Sequence, residues 1–571
     1  MGKQSLVALD TNHIKQYIFA TSKLKEIRGA SSILDHLNRR VMDRVAAEPA
    51  FHAQPVYANG GSGLFLIEGD ADLAREFGLR IQQAYRRETS DGASITFVVQ
   101  ELPSGVQDAW HDNVHETLEL LRYRLAERKV SWLPERAEDG QAGEQRGTEM
   151  LAFPSHPFMR TCDACGLRYA EGKDPEDPTD YYCAVCWGKR TEDQKVKTGI
   201  DILIDTRKRK SDGAGYKPFA WEKVIRALPE VYVHAIPQGT ERPGDFNELR
   251  GMSNGKDYLA LIYADGNGMG QLLQDLPTLA QVRDAAEAID TAVYAAISFA
   301  ISQHLPVVPR EGRTPPRFPF DLLFIGGDDM MIVTPAAPAL DIAISITQKF
   351  YELTGKRNPG GKGYTLSVGV VLAPVNYPFR MLHELVEHTI QFAKKKGAQR
   401  QNKQSKRSEY GDTLINFMTV TGSTSQEFSA VYQALHRKHY DEKKQRDVKF
   451  YATLRPYTVE ELTILLNMIR EGKGKGLGRT KLHQVREAVL KMNLTTSVDE
   501  GLSVLRNWRT GQREFVTGHV YTLGGRYQEP YHDPEQPGTL FPRVTFPWFA
   551  DGPDIYRTSL LDFVELYDFV V

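Results

Sequence analysis

The chain passes twice through one order of elements, and that repeat limits its fold more than any other feature. Near the start, the apolar run "SLVALD" (5–10) ends in Asp10 and leads into a long helical stretch. "PVYANGGSGLFLIEG" (55–69) then reads as two short strands around a glycine-rich turn, followed by a helix at about 71–88 and the strand "SITFVVQEL". From residue 257 the order returns. "DYLALIYADGNGMG" is a strand ending in Asp265, helices run to about 304, and "FPFDLLFIGGDDMMIVTP" is a hairpin. A helix at 337–354, the strand "YTLSVGVVLAP" (364–374) and a helix at 378–396 complete the second copy. Finding strand-Asp and then a Gly-Gly hairpin twice implies an internal duplication. The expected class is α+β, with each copy a ferredoxin-like βαββαβ sheet.

The copies differ at their turns. The first reads Gly60, Gly61, Ser62, Gly63; the second reads Gly326, Gly327, Asp328, Asp329. Adjacent carboxylates repel, and burial raises the cost of ionising them, so a cation is the usual remedy. In a palm sheet of this kind the end of the first strand and the hairpin tip lie side by side. Asp265 is therefore expected to converge with Asp328 and Asp329 on Mg²⁺ or Mn²⁺. Two such ions activate an attacking hydroxyl and stabilise a leaving pyrophosphate, the chemistry of nucleotidyl transfer. Glycines at 326 and 327 let backbone amides approach phosphates. Gly266, Asn267 and Gly268, opening a helix, add donors for a triphosphate. A tight turn holding nothing is the plain alternative; the apolar flanks and the upstream strand-Asp weigh against it. Phe324, Met330 and Met331 read as core, not as base-stacking residues.

The four cysteines of the chain form two pairs, "CDAC" (Cys162, Cys165) and "CAVC" (Cys183, Cys186). The spacing C-x2-C-x17-C-x2-C is that of a zinc ribbon, and a closed four-sulfur site is structural, not catalytic. Two disulfides or free thiols are the alternatives. "MGKQSLVALD" goes directly into a strand and is not a signal peptide, which favours zinc and predicts a cytoplasmic protein. No run approaches eighteen apolar residues, so no membrane association is expected.

With 571 residues and a net charge of −2, the chain has room for about three to four domains and no global charge bias toward nucleic acid. We expect the first palm with a flexible linker (137–148) in 1–150, the zinc ribbon and connecting helices in 151–250, the second palm in 251–422, and a helical C-terminal domain in 423–571. "TRKRK" (206–210) and "HRKHYDEKKQRDVK" (436–449) are candidate RNA-backbone contacts, with solvated faces as the alternative. "WHDN" (His111, Asp112) and "YHDP" (His532, Asp533) are isolated dipeptides without the further ligands a metal site needs.

"ATSKLKEIRGASSILDHLNR" (20–39), "ANGGSGLFLIEG", the CxxC ribbon, "ADGNGMGQLL", "IGGDDMMIV" and "RTKLHQVREAVL" occur in this order. Together they resemble the large polymerase-cyclase subunit of type III CRISPR interference complexes, nearest the Cmr-type version, over essentially the whole chain. The resemblance implies two cyclase-like (GGDEF-like) palms, a zinc module and a helical C-terminal domain. It implies conversion of ATP into oligoadenylate second messengers, usually cyclic, when the complex binds target RNA. The implied partners are the other subunits, with CRISPR RNA and target RNA held through them. Asp265, Asp328 and Asp329 carry over as metal and catalytic residues. The turn of Gly60, Gly61, Ser62 and Gly63 would seat a second nucleotide, and Lys394, in an "AK…G" segment, would meet the triphosphate; a solvated helix end is the alternative for that lysine. Two departures stand out. Many relatives begin with a histidine-aspartate nuclease domain, for which a palm starting at residue 5 leaves no room, so no DNase activity is expected. Relatives commonly read Asp-Gly-Asp where this chain has Asp265, Gly266 and Asn267. Some members join AMP to S-adenosylmethionine instead of cyclising ATP, so the acceptor stays open. A catalytically silent scaffold and a stand-alone nucleotide cyclase are the other readings; the intact Asp265, Asp328 and Asp329 weigh against the first, and the ribbon and helical C-terminal domain, which read as docking surfaces, against the second.

Overall fold

The computed structural model describes residues 3–130, 160–174, 177–206, 219–237, 239–249, 257–305, 316–357, 361–401, 410, 412–422, 427–441, 445–527, 531–532, 540–541, 544–552 and 554–571. The expected linker at 137–148, residues 207–210 of the first basic run, residues 442–444 of the second, and Asp533 lie outside the described residues. Along the chain come β1 (Ser5–Asn12), α1 (Leu24–His36), β2 (Ala53–Asn59), β3 (Ser62–Ile67), α2 (Ala71–Glu88), β4 (Ser94–Glu101), α3 (His115–Val130) and α4 (Ala184–Thr206). The second copy supplies β5 (Tyr258–Gly266), α5 (Leu279–His304), β6 (Asp321–Gly326), β7 (Asp329–Pro335), α6 (Ala339–Arg357), β8 (Leu366–Pro374), α7 (Phe379–Gln401) and β9 (Leu414–Thr419). After it come β10 (His436–Asp441), β11 (Arg446–Tyr451), α8 (Val459–Gly474), α9 (Arg479–Leu490), α10 (Leu494–Leu505), β12 (Val544–Thr545), β13 (Trp548–Ala550), β14 (Ile555–Arg557) and α11 (Leu560–Leu566).

The duplication is present in the strand order. The first sheet runs β2-β3-β1-β4, with β1 antiparallel to both β3 and β4. The second runs β9-β8-β5-β7-β6, so β8-β5-β7-β6 repeat the order β4-β1-β3-β2 of the first, with β9 added at one edge. β8 pairs antiparallel with β5 and parallel with the additional strand β9. Both orders are those of a βαββαβ palm.

Alternation along the strands builds the first palm. Leu6, Leu64, Leu66 and Val98 point to one face, where Leu118 and Leu121 of α3 and Leu279 and Val282 of α5 complete a core. Phe65 and Phe97 belong to the other face, and Phe77 of α2 closes on Phe65 with ring centroids 5.1 Å apart. α2 starts where the Asp70 carboxylate accepts from the Leu73 amide at 3.1 Å, an N-cap that removes one orphan donor. β8, "LSVGVVLAP", is buried at every position but the last, as a strand covered on both faces requires.

Two compact units divide the chain, one of Met1–Glu248, Gly268–Ile332 and Glu352–Lys362, the other of Leu249–Asn267, Val333–Tyr351 and Gly363–Val571. Among the described residues, α5 is long and apolar enough to cross a membrane, but 61% of its most apolar window is buried in the fold, as in the core helix of a palm. Polar and charged residues interrupt that helix, so it is apolar on average without holding a run of eighteen apolar residues. The C-terminal segment has the expected helices and, besides them, a five-stranded sheet of order β10-β11-β14-β13-β12.

Candidate functional site

Asp265 stands near the end of β5, opposite Ser367 of β8. Lys394 of α7 lies against it: its Nζ pairs with the Asp265 carboxylate and also donates to the Gly266 carbonyl at 3.1 Å. The lysine and the strand-end aspartate chosen from the sequence are thus brought together, although 129 positions separate them. Both side chains keep partial exposure, 34% for Lys394 and 23% for Asp265, so the pair is reachable from solvent.

Asn267 is fully engaged by its neighbours. Its Nδ2 donates to Thr365 Oγ1 at 3.1 Å, its Oδ1 accepts from Ser367 Oγ at 2.7 Å, and its backbone amide donates to the Thr365 carbonyl at 2.9 Å. The Asn267 side chain thus ties the end of β5 to the start of β8. Gly268 takes a left-handed conformation (φ 66°) before the six-residue helix Met269–Gln274.

In the other unit, the glycine turns of the two copies meet. Gly60 has φ 61°, and a Cβ built on it would lie 2.9 Å from both Gly326 C and Gly327 N. A Cβ on Gly326 would stand 3.2 Å from the Gly60 Cα. Only glycine allows two backbones this close, and Gly60 also meets the demand for a positive φ. Gly327 (φ 66°) and Gly61 (φ 85°) share the left-handed region. Asp328 shares the second turn with Gly327, and Asp329 opens β7. Ser62 Oγ donates to the Asn59 carbonyl at 3.2 Å, and Gly63 is buried against Phe65 and Met42. Phe324, Met330 and Met331 are buried, as the apolar flanks required.

The first copy retains a pair that sequence reasoning missed. Asp10, near the end of β1, is paired with Lys129 of α3, whose Nζ also donates to the Thr11 carbonyl at 3.3 Å. The arrangement repeats Asp265, Lys394 and the Gly266 carbonyl at the matching strand end. Burial raises the Asp10 carboxyl above its ordinary value, and Lys129 opposes that shift. An aspartate ending an apolar strand, met twice, was the available signal; nothing in the pattern of α3 marked its lysine.

Among the described residues, the cysteine quartet is the group whose ligand atoms are gathered as a metal needs, all within 4.8 Å of one another. None is in a disulfide, and Cys162, Cys183 and Cys186 are buried. Cys162 and Cys165 sit on a knuckle closed by the Cys162 amide donating to the Arg168 carbonyl at 2.8 Å; Cys183 precedes α4 and Cys186 lies in its first turn. Four thiols so placed fit tetrahedral zinc. His111 is bonded to Asp108 at 2.7 Å on an exposed turn, and the Asp112 carboxylate accepts from the amides of Gln107 and Asp108. That dipeptide is turn structure.

Residues 258–404 match the family model for Cas10/Cmr2, second palm domain. No curated protein matches the chain. Among solved structures, the chain is similar to a Csm1–Csm4 cassette in complex with pppApApA, at 18% identity and a TM-score of 0.42, covering 69% of this chain and 52% of that one. It is also similar to Csm1 in T. onnurineus, at 16% identity and a TM-score of 0.42, with 69% and 52% covered. A Csm1–Csm4 cassette with pppApA matches at 13% identity and a TM-score of 0.49, over 86% of this chain and 64% of that one. The chain spans about half the length of the first two, 52% in each. Through the match over 258–404, the sheet that begins with β5 is similar to a Cas10/Cmr2 second palm, and the Gly326, Gly327, Asp328, Asp329 turn is the hairpin within it.

Proposed function

We propose that the chain is the nucleotidyl-transferring large subunit of a cytoplasmic type III CRISPR interference complex, converting ATP into an oligoadenylate messenger when that complex holds target RNA. The observation that carries the reading is the tip-to-tip approach of the two glycine turns, with Gly60 against the backbone of Gly326 and Gly327. It opposes the carboxylate-bearing turn of one palm to the uncharged turn of the other, an arrangement suited to two nucleotides facing each other. The palm-family match over 258–404 and the pairing of Asp265 with Lys394 support it.

In this reading Asp265, Asp328 and Asp329 hold Mg²⁺ or Mn²⁺, hard cations that favour oxygen ligands. Divalent ions there would supply positive charge to an attacking hydroxyl and to the leaving pyrophosphate. Lys394 offers its ammonium to the triphosphate, and the amides around Gly266, Gly268, Gly326 and Gly327 donate to phosphate oxygens. Asn267 holds the strand end in place and contributes no ligand. Gly60, Gly61, Ser62 and Gly63 seat the acceptor nucleotide. Its hydroxyl oxygen forms the new bond to the α-phosphorus of the other nucleotide, the bond to pyrophosphate breaks, and the hydroxyl proton leaves to solvent. The cysteine quartet carries structural zinc.

The test uses α-labelled ATP with Mg²⁺ or Mn²⁺, with and without S-adenosylmethionine, in the assembled complex with target RNA. A labelled product that falls to background in the Asp328→Ala/Asp329→Ala chain is the expected result. Dependence on S-adenosylmethionine would identify that molecule as the acceptor. An intact, target-bound complex that makes no product would overturn the reading.

A further inference from the structure

The segment "SKLKEIRGAS" in and before α1 takes no part in the site above, yet several of its residues contact the cysteine module. Lys23 pairs with Asp180 and donates to the Tyr182 hydroxyl at 2.9 Å. Glu26 accepts from Arg190 at 3.2 Å. A Cβ on Gly29 would fall 1.7 Å from the Lys189 carbonyl oxygen, so α1 and α4 touch backbone to backbone. Arg28 then reaches past α4. Its guanidinium forks onto Asp193 of α4 at 2.8 and 3.0 Å and donates from its remaining nitrogen to Asp321 at 2.7 Å and to the Pro243 carbonyl at 2.5 Å. Asp321 also accepts from Arg242 Nε and from the Leu322 amide, at 2.9 and 2.8 Å.

Arg28, Asp193, Asp321 and Arg242 are all buried. A buried charge network tolerates little displacement, because moving one member leaves another charge without compensation. The forked guanidinium contact fixes orientation as well as distance. One end of this chain is Asp193, about two helical turns beyond Cys186 on α4. The other end is Asp321, the first residue of β6, and β6 ends at Gly326, the glycine that packs on Gly60.

We propose that zinc bound by Cys162, Cys165, Cys183 and Cys186 sets the seat of the Gly326 turn through α4 and the Asp193, Arg28, Asp321 chain. Arg28 and Asp193 are positioning residues, and metal occupancy in the cysteine module governs how firmly β6 and its turn are held. The inference rests on the proposed function only in treating that turn as reactive.

The test is hydrogen–deuterium exchange on the full chain, with zinc content measured, before and after chelation and again after zinc is restored. Exchange across residues 321–332 should rise by at least about tenfold on chelation and recover with zinc, while residues 459–505 stay protected. In Asp193→Asn, zinc should remain bound while 321–332 exchange fast with or without it. Loosening confined to 160–206 would overturn the proposal, and so would a rise spread evenly over the chain, 459–505 included. The zinc titration of the unaltered chain decides the matter even if Asp193→Asn does not fold. A chain that makes no messenger would sink the proposed function and leave this readout untouched.

Discussion

At Gly60 two constraints fall on one residue, and substitution can separate them. Gly327, directly across, has nearly the same positive φ, but a Cβ there would find its nearest neighbour, the Gly60 Cα, at an ordinary 3.9 Å. Gly327→Ala should therefore cost only the left-handed backbone penalty, about 1–2 kcal/mol. Gly60→Ala meets backbone atoms at 2.9 Å and should add roughly 1–3 kcal/mol for overpacking. Urea unfolding of the two variants measures the gap; equal midpoints would mean that the turns separate freely. The same scale decides what the sequence discloses of the site. Lys394, selected by likeness in an "AK…G" segment, does lie against Asp265. Lys129 and Arg28 gave no such signal, because their partners Asp10 and Asp321 are 119 and 293 positions away and each sits in an ordinary charged helix.

Whole elements are legible where one physical cause dominates. The palm strands are apolar runs bounded by glycine turns, and α2 places Ala74, Phe77, Ile81 and Tyr85 at helical spacing on one buried face. β10 and β11 fail that test: only Val448 and Phe450 of β11 are buried, and "HRKHYD" is polar throughout, so the pair reads as a charge run. The strands exist because β11 joins β14 in the C-terminal sheet, a pairing that no local pattern announces. His436, which opens β10, makes the arrangement testable by pH. It lies edge-on between Tyr432 and Tyr451, with ring centroids 4.3 and 4.8 Å away. Burial, followed by the charges of Arg557, Lys396 and Arg455, lowers its pKa from 6.5 to about 4. A histidine depressed in this way stabilises the fold above its free value and loses that contribution as pH falls from about 6.5 to about 4, because the unfolded chain takes up a proton that the folded chain refuses. His436→Gln should accordingly lose less melting temperature than the unaltered chain between about pH 7 and about pH 5. Parallel melting curves would show that the imidazole is protonated freely in the folded protein.

Across the molecule, the two palms share the order of four strands and the same lysine-on-aspartate pair, and they differ in charge at the glycine turn. Restoring the lost carboxylates to the first copy shows whether that turn alone separates them. Position 62 faces Asp10 across the sheet, and an aspartate there would set two carboxylates opposite each other, one of them already paired with Lys129. Position 63 is worse: a Cβ would meet the Phe65 ring at 2.9 Å and Met42 Sδ at 3.2 Å, so a carboxylate would be driven into apolar packing. The loss of charge in the first palm is therefore built into its core as well as its turn. Ser62→Asp/Gly63→Asp, placed in a chain already carrying Asp328→Ala/Asp329→Ala, should form no labelled product and should lose roughly 1–3 kcal/mol of stability from the overpacked site. Ser62→Asp alone should lose less, because that position is only half-buried. Product regained in the fourfold variant would mean that the first palm needs nothing beyond two carboxylates to react. Product absent from a folded variant would locate the difference in the packing beneath the turn, where Phe65 and Met42 already occupy the space.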